Sequence, residues 1–155
     1  MLSLKNERIY SLCLYEADKS DLLYQHGCIA TYGGKIMAKA CNTNKTKLKD
    51  KIFNETTCTC HAEINVLIQL YNNLIKRSKF RKIKKMFKKT TLYISRIKYS
   101  NHSYNSAPCK ECLDRIKFFN IKRIIFYLDD DYYSMNPQNF ETNHHSYGQI
   151  YINSI

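Results

Sequence analysis

Two short motifs constrain this chain more than any other feature of its sequence. The first is His61-Ala62-Glu63, and the second is Pro108-Cys109-Lys110-Glu111-Cys112. Proline suits the first turn of a helix, so the second motif predicts a helix that begins at Pro108. Cys109 and Cys112 are three residues apart, which places both sulfurs on one face of that first turn, where the helix dipole stabilises thiolates. The spacing therefore predicts a metal site at a helix N-terminus.

This donor set favours zinc over a disulfide framework. The chain has 7 cysteines, an odd number, and no secretory signal is visible before them. His61 supplies a third ligand from the start of the preceding helix. Three protein ligands leave one tetrahedral position for water, as a catalytic zinc site requires. Glu63 lies two residues beyond His61 and points away from the metal, where its carboxylate can accept and deliver a proton.

The hydrophobic pattern predicts helices and strands around these motifs. We expect a helix at 4–17 with Ile9, Leu12, Cys13 and Leu14 buried, and a hairpin of strands at 26–31 and 35–41 around Gly33-Gly34. A polar loop at 42–59 leads to a helix from Cys60, then a strand at 90–96, the helix from Pro108 and a strand at 124–128. The remainder is predicted to be irregular, with a last strand at 149–153. This order predicts a mixed sheet covered by helices, in one domain over 1–155 with a core at 4–128 and a tail at 129–155.

Over residues 11–128 the chain resembles the cytidine and deoxycytidylate deaminase superfamily. The resemblance is carried by the His26-Gly27 strand opening, both motifs and the Leu92-Tyr93-Ile94 strand. It implies an α/β fold of the cytidine deaminase-like kind, a three-layer α-β-α arrangement with a central mixed sheet. It also implies Zn²⁺ on His61, Cys109 and Cys112, with Glu63 as the catalytic proton carrier. Asn42, with Asn44 as the alternative, and the backbone N–H of Ala62 are the implied substrate contacts.

These residues predict hydrolytic loss of ammonia from a cytosine-type base, in a free nucleoside or nucleotide such as dCMP. Two alternatives stay open. One is a deaminase that acts on bases in RNA or DNA. The other is a non-catalytic, zinc-stabilised binding module, with Cys58 or Cys60 as a fourth ligand, although such a module has no chemical need for Glu63. Arg96 and residues 98–106 lie near the expected pocket mouth, as candidates for phosphate or base selectivity.

Charge and composition bear on partners more than on the reaction. With 25 basic and 13 acidic residues, the formal net charge of +12 favours contact with phosphate, although a genome rich in A and T produces similar lysine usage. The segment 76–89, from Lys76 to Lys89, is predicted to extend the second helix as a basic amphipathic helix. It is either a nucleic-acid or membrane-surface contact, a nuclear signal, or simply a solvated face, which we favour.

The other expectations concern exposed residues and location. Residues 129–131 are predicted to form a solvated acidic turn, and His144-His145 a solvated pair in the tail. No apolar run approaches the roughly 18 residues typical of a membrane span. We therefore expect an intracellular, cytoplasmic protein without a membrane span, and the sequence leaves a homo-oligomer open.

Overall fold

A computed structural model describes residues 1–45, 47–49, 54–56, 60–77, 79–97, 104–146, 150 and 153–154. The helices are α1 (Leu4–Asp18), α2 (Ala62–Ile75), α3 (Phe80–Phe87) and α4 (Lys110–Phe118). The strands are β1 (Gln25–Tyr32), β2 (Lys35–Cys41), β3 (Lys47–Lys49), β4 (Asn54–Thr56), β5 (Thr90–Ile97), β6 (Arg123–Leu128) and β7 (Asp131–Met135), and a 3₁₀ turn follows at Pro137–Asn139.

Five of the strands form the central sheet, in the order β2-β1-β5-β6-β7. Strand β1 is antiparallel to both β2 and β5, β5 is parallel to β6, and β6 is antiparallel to β7. The sheet is therefore mixed, as predicted. The turn between β1 and β2 is the predicted Gly33-Gly34 pair, and its two positive φ angles of 57° and 79° explain the need for glycine.

Helices cover both faces of this sheet. Successive strand residues point to opposite faces, so β1, β5 and β6 each contribute to two separate core clusters. One cluster joins α1 to one face through Ile9, Tyr10, Cys13, Ile29, Tyr93 and Ile125. The other joins α2, α3 and α4 to the opposite face through Cys28, Ala30, Leu67, Ile83, Leu92, Ile94, Ile116, Ile124 and Phe126, among others. The predicted three-layer α-β-α arrangement is confirmed.

Helix α1 lies close to β1 at Gly27. A Cβ atom at this position would lie 2.4 Å from the carbonyl oxygen of Cys13 and 2.7 Å from the amide nitrogen of Ala17. Ile9 and Cys13 are buried as predicted and Leu14 is half-buried. The prediction for Leu12 is wrong, because the buried stripe follows residues 9, 13 and 17 and leaves Leu12 on the solvent side, 46% exposed.

The prediction of one continuous basic helix at 76–89 is also wrong. Helix α2 ends at Ile75, and Lys79 is extended, with φ −70° and ψ 152°, before α3 begins at Phe80. Ile83 and Phe87 are buried in the core, whereas Phe80 is 57% exposed. The basic side chains therefore cover the outside of a short, separate helix.

Two regions contain more structure than the sequence pattern predicts. The loop predicted at 42–59 contains the β3–β4 pair. The tail contains β7, which follows a two-residue turn whose residues Asp129 and Asp130 have φ angles of 50° and 66°. Both aspartates are exposed, as predicted for a solvated turn. The strand predicted at 149–153 lies mostly outside the described residues, and Ile150 and Asn153 are in helical turns.

Candidate metal centre and substrate cavity

The first half of the site is the start of α2. His61 occupies the N-cap position in an extended conformation, with φ −67° and ψ 152°. Its carbonyl oxygen accepts the first helical hydrogen bond, from the amide of Asn65 at 3.0 Å, while its side chain makes no capping bond. The imidazole is therefore available to other groups in front of the helix.

The second half is the start of α4. Cys109 is the N-cap residue, and Cys112 lies three residues later. The helix begins at Lys110, which is two residues after the predicted start at Pro108. The Nδ1 atom of His61 lies 3.2 Å from the Cys112 sulfur and 3.5 Å from the Cys109 sulfur. The three ligand atoms all lie within 4.8 Å of one another. The structure thus brings together the three predicted ligands from two helix N-termini.

The dimensions of this cluster fit a tetrahedral zinc ion. With Zn–N near 2.0–2.1 Å and Zn–S near 2.3 Å, a tetrahedral angle separates a nitrogen and a sulfur ligand by about 3.6 Å. The two observed nitrogen–sulfur distances of 3.2 and 3.5 Å are close to that value. Two thiolates and one imidazole are also ligands that zinc prefers. Within the described residues this is the group of His, Cys, Asp and Glu side chains that can hold a metal ion.

The charges of the cluster suit a cation. Hydrogen bonds from Cys112 and His61 outweigh burial and lower the pKa of the Cys109 thiol to about 5. Burial alone would lower the pKa of His61, but the hydrogen bond to Cys109 and the neighbouring Glu63 raise it to about 9. The pKa of Cys112 is raised well above its usual range by its hydrogen bond to Cys109 and by burial. A bound divalent cation would therefore displace protons from Cys112 and His61.

Glu63 lies in the first turn of α2 and is buried, with 4% of its surface exposed. Burial raises the pKa of its carboxyl, and the nearby His61 opposes this shift. The side chain borders the same cavity as His61 and Cys109. A buried carboxylate in this place can exchange protons with a molecule in the cavity.

A cavity of about 890 Å³ opens in front of the two helix starts. This volume lies within the range typical of small-molecule sites. Its walls come from four parts of the chain: Leu22, Leu23, Tyr24, His26 and Asn42; His61 and Glu63; Arg96, Tyr104, Asn105, Ala107, Pro108 and Cys109; and Leu128, Phe140, Glu141, Thr142, His144 and Ser146. Arg96, predicted to lie near the pocket, borders this cavity. Residues 98–103, also predicted to be there, lie outside the described residues.

His26 contributes a neutral imidazole to this wall. It is paired with Arg96 across the β1–β5 register. Burial, together with the positive charges of Arg96 and His61, lowers the pKa of His26 to about 3. In the sequence His26 is only part of a strand opening, and its place in the cavity follows from strand pairing.

Asn42, the predicted substrate contact, borders the cavity and is buried. Its side-chain oxygen accepts a hydrogen bond from the amide of His26 at 3.0 Å, and its Nδ2 donates to the carbonyl oxygen of Tyr24 at 2.7 Å. Asn42 thus ties the approach to β1 to the end of β2. The alternative, Asn44, is exposed. Ala62 is buried at the first position of α2, where an N–H lacks an intrahelical acceptor. Both substrate contacts stay predictions.

The tail segment 140–146 forms a wall of the cavity that the sequence pattern did not predict. The carbonyl oxygen of His144 accepts a hydrogen bond from the Lys110 amide at 2.8 Å, and Nδ1 of His145 pairs with the Glu111 carboxylate. The prediction of a solvated His144-His145 pair is therefore wrong for His145, which is half-buried. No periodic signal marks such a contact, because it joins residues far apart in the chain.

The remaining cysteines have other surroundings. Cys60 is buried, and its thiol donates to the side-chain oxygen of Asn65 at 3.2 Å, so it is not part of the three-ligand cluster. Cys13 is a core residue, as predicted, Cys28 is buried as well, and Cys41 is half-buried. Cys58 lies outside the described residues.

Comparison with known protein families agrees with this geometry. Residues 4–128 match the model of the cytidine and deoxycytidylate deaminase zinc-binding region. The chain belongs to this family. It is accordingly a zinc-dependent hydrolase of the deaminase type, and Zn²⁺ is its cofactor. No curated protein sequence matches the chain.

Solved structures share the fold at low sequence identity. A dCMP deaminase from the cyanophage S-TIM5, solved in complex with dCMP and dUMP, is 19% identical, with a TM-score of 0.50 over 80% of this chain and 81% of that one. A cytidine deaminase from Burkholderia pseudomallei is 10% identical, with a TM-score of 0.56 over 93% of this chain and 100% of that one. Among the described residues, none of the helices has the length and apolar character needed to cross a bilayer.

Proposed function

We propose that this protein hydrolytically deaminates a cytosine-type base in a free nucleoside or nucleotide such as dCMP. The observation that carries the proposal is the convergence of His61, Cys109 and Cys112 beside a buried Glu63 at one wall of the cavity. A structural zinc site has four protein ligands and no need for a neighbouring acid, whereas a catalytic site keeps a position open.

In this proposal His61, Cys109 and Cys112 hold the zinc ion. When bound, zinc acts as a Lewis acid that makes water nucleophilic at neutral pH. The backbone N–H groups at the start of α4 and the neighbouring His61 favour the thiolate form of Cys109, whereas Cys112 would lose its proton when the metal binds. The starts of α2 and α4 therefore hold the three ligands close together without a bound metal ion.

Glu63 carries the protons in this proposal. Its carboxylate accepts a proton from the attacking water and delivers it to the ring nitrogen next to the amino-bearing carbon. As the carbon–nitrogen bond breaks, Glu63 transfers the remaining proton of the added hydroxyl group to the leaving amine, which departs as ammonia and leaves a carbonyl on the ring. Because Glu63 is buried, bulk water does not compete for these protons.

The cavity supports a small substrate better than a polynucleotide. None of the described residues of 76–87 borders the cavity. Helix α2, with 14 residues, is about 21 Å long, and the basic segment follows its far end. A single nucleotide bound in front of the zinc ligands would not reach α3, so the basic face has no part in the proposed reaction.

The test is ammonia release from deoxycytidine, dCMP and a short cytosine-containing oligonucleotide by zinc-loaded protein. We expect turnover of a free nucleoside or nucleotide, and a loss of about 10²–10⁴-fold in kcat for Glu63→Gln, with zinc content unchanged. Full activity of Glu63→Gln would contradict the assigned role of Glu63. Turnover of the oligonucleotide alone would contradict the proposed substrate class.

A further inference from the structure

A guanidinium group at the cavity lies over two aromatic rings. The guanidinium carbon of Arg96 lies 4.7 Å from the ring centroid of Tyr104 and 5.2 Å from that of Tyr24. A cation over the face of an aromatic ring is attracted by the ring's π electrons. The N–H donors of guanidinium lie in the plane of the group, and stacking uses none of them.

The donors of Arg96 have little to bind within the protein. Its Nε atom is buried and has no hydrogen-bond partner among the described residues. No carboxylate in the described part of the chain forms a salt bridge with Arg96. Among the lining residues that the structure describes, Arg96 is also the only Lys or Arg side chain. A buried donor on a permanent cation without a counter-ion calls for an anionic ligand.

Hydrogen bonds hold the backbone of both tyrosines. The Tyr24 carbonyl oxygen accepts from Nδ2 of Asn42 at 2.7 Å. The Tyr104 amide donates to the carbonyl oxygen of Arg96 at 3.0 Å. An ordered backbone therefore carries both rings to the Arg96 guanidinium, which reduces the entropy lost when a ligand binds.

We infer that Arg96 is a specificity-determining residue that binds the 5′-phosphate of a nucleoside monophosphate, with Tyr24 and Tyr104 as positioning residues. This inference rests on the proposed deamination of a cytosine base. Guanidinium binds a terminal phosphate through two parallel hydrogen bonds, a geometry that an ammonium group does not offer. One cation matches one phosphate group, so a monophosphate is selected over a nucleoside, which has no anion for Arg96.

The other acidic and basic groups of the cavity are consistent with this assignment. Glu63 is buried beside the metal ligands, and Glu141 has a 91% exposed side chain that lies 3.9 Å from Lys117. Among the described residues, neither carboxylate forms a salt bridge with Arg96. A phosphate bound at Arg96 leaves the base free to extend along the cavity toward His61 and Glu63.

The decisive experiment measures binding of the product pair, dUMP and deoxyuridine, to zinc-loaded protein by titration calorimetry. Using products makes the measurement independent of turnover. We expect the wild-type protein to bind dUMP more tightly than deoxyuridine. Arg96→Gln should reduce this preference by about 10- to 100-fold, the range expected for hydrogen bonds to a charged group. Arg96→Lys should recover only part of it, because the ammonium group lacks the planar fork.

Arg8→Gln is the matched control, since Arg8 is an exposed arginine of α1 that does not border the cavity. Its preference for dUMP should equal that of the wild type. Urea unfolding and zinc content show whether each variant is folded and loaded. If Arg96→Gln does not fold, the wild-type preference and its reduction in Arg96→Lys decide the outcome.

Equal binding of dUMP and deoxyuridine by the wild type would overturn the inference, as would equal weakening of both by Arg96→Gln. Binding of an oligonucleotide in place of dUMP, with the same dependence on Arg96, would instead assign Arg96 to a phosphodiester and also overturn it. The proposed deamination fails separately, when the wild type releases no ammonia from any cytosine substrate. The two failures are therefore distinguishable.

Discussion

Replacement of Asn42 distinguishes a structural role from a substrate contact, because the first affects the free energy of unfolding and the second affects substrate binding. Its amide group bridges the Tyr24 carbonyl and the His26 amide, at 2.7 and 3.0 Å. Only 7% of its surface is exposed. An amide offers two N–H donors and an oxygen with two lone pairs, so these two bonds leave further capacity for a substrate. Replacing Asn42 by alanine removes both bridges at once.

The expected cost of Asn42→Ala follows from these contacts. Each lost hydrogen bond is worth about 0.5–1.5 kcal/mol, and a buried partner left without a bond adds to this. We therefore expect the free energy of unfolding to fall by about 2–3 kcal/mol. Asn42→Asp keeps the acceptor for the His26 amide but places a carboxylate oxygen against the Tyr24 carbonyl. Its free energy of unfolding should also fall.

Urea unfolding followed by circular dichroism measures this change. At an m-value of about 1–3 kcal/mol/M, the midpoint of Asn42→Ala should fall by about 1 M or more with little change in m. Asn44→Ala is the control, because Asn44 is exposed, and should lie within about 0.5 kcal/mol of the wild type. A midpoint for Asn42→Ala equal to that of the control would refute the structural role. Weakened substrate binding at unchanged stability would then assign Asn42 to the substrate alone.

Three further variants test other contacts. Cys112→Ser should lose the zinc that the wild type retains at about one ion per chain, while Cys60→Ser keeps it, as measured by atomic absorption. Gly27→Ala should destabilise the fold by about 1–3 kcal/mol in urea, because its Cβ would meet the α1 backbone at 2.4 and 2.7 Å; wild-type stability would contradict this packing. His145→Ala should speed hydrogen exchange at the Lys110 amide, which bonds to the His144 carbonyl; an unchanged rate would show that Glu111 does not hold the tail.

The parts of the site that the sequence predicted are those with local geometry. Two cysteines three residues apart at a helix start must share a face, and His61 and Glu63 are fixed by the first turn of α2. The Gly33-Gly34 turn has the same character, because the φ angles of two adjacent residues decide it. In such cases a few neighbouring residues determine the structure, and no knowledge of the rest of the chain is needed.

The elements that the sequence pattern missed depend on distant residues. Strand β7 is an edge strand with mostly half-exposed or exposed residues, so its hydrophobic signal is weak, and the informative feature was the Asp129-Asp130 turn. The hydrophobic pattern predicts Leu12 in the buried stripe of α1, yet the contacts of α1 with β1 decide which stripe is buried. The sequence between α2 and α3 contains no proline or glycine that would predict the break. After that break, α3 packs Ile83 and Phe87 into the core.

The same distinction separates the reaction from the substrate. The metal ligands and Glu63 come from two helix starts, so their chemistry can be inferred from short motifs. The walls that select a ligand come from the approach to β1, the end of β5, the residues before α4 and the tail. Arg96 acquires its aromatic neighbours only when strand pairing and main-chain hydrogen bonds bring Tyr24 and Tyr104 close to its guanidinium. Asn42 has a part in both, because its side chain borders the cavity and also donates a hydrogen bond to the Tyr24 carbonyl. Loss of Asn42 should therefore weaken dUMP binding more than deoxyuridine binding, since it loosens one of the two rings that position the guanidinium.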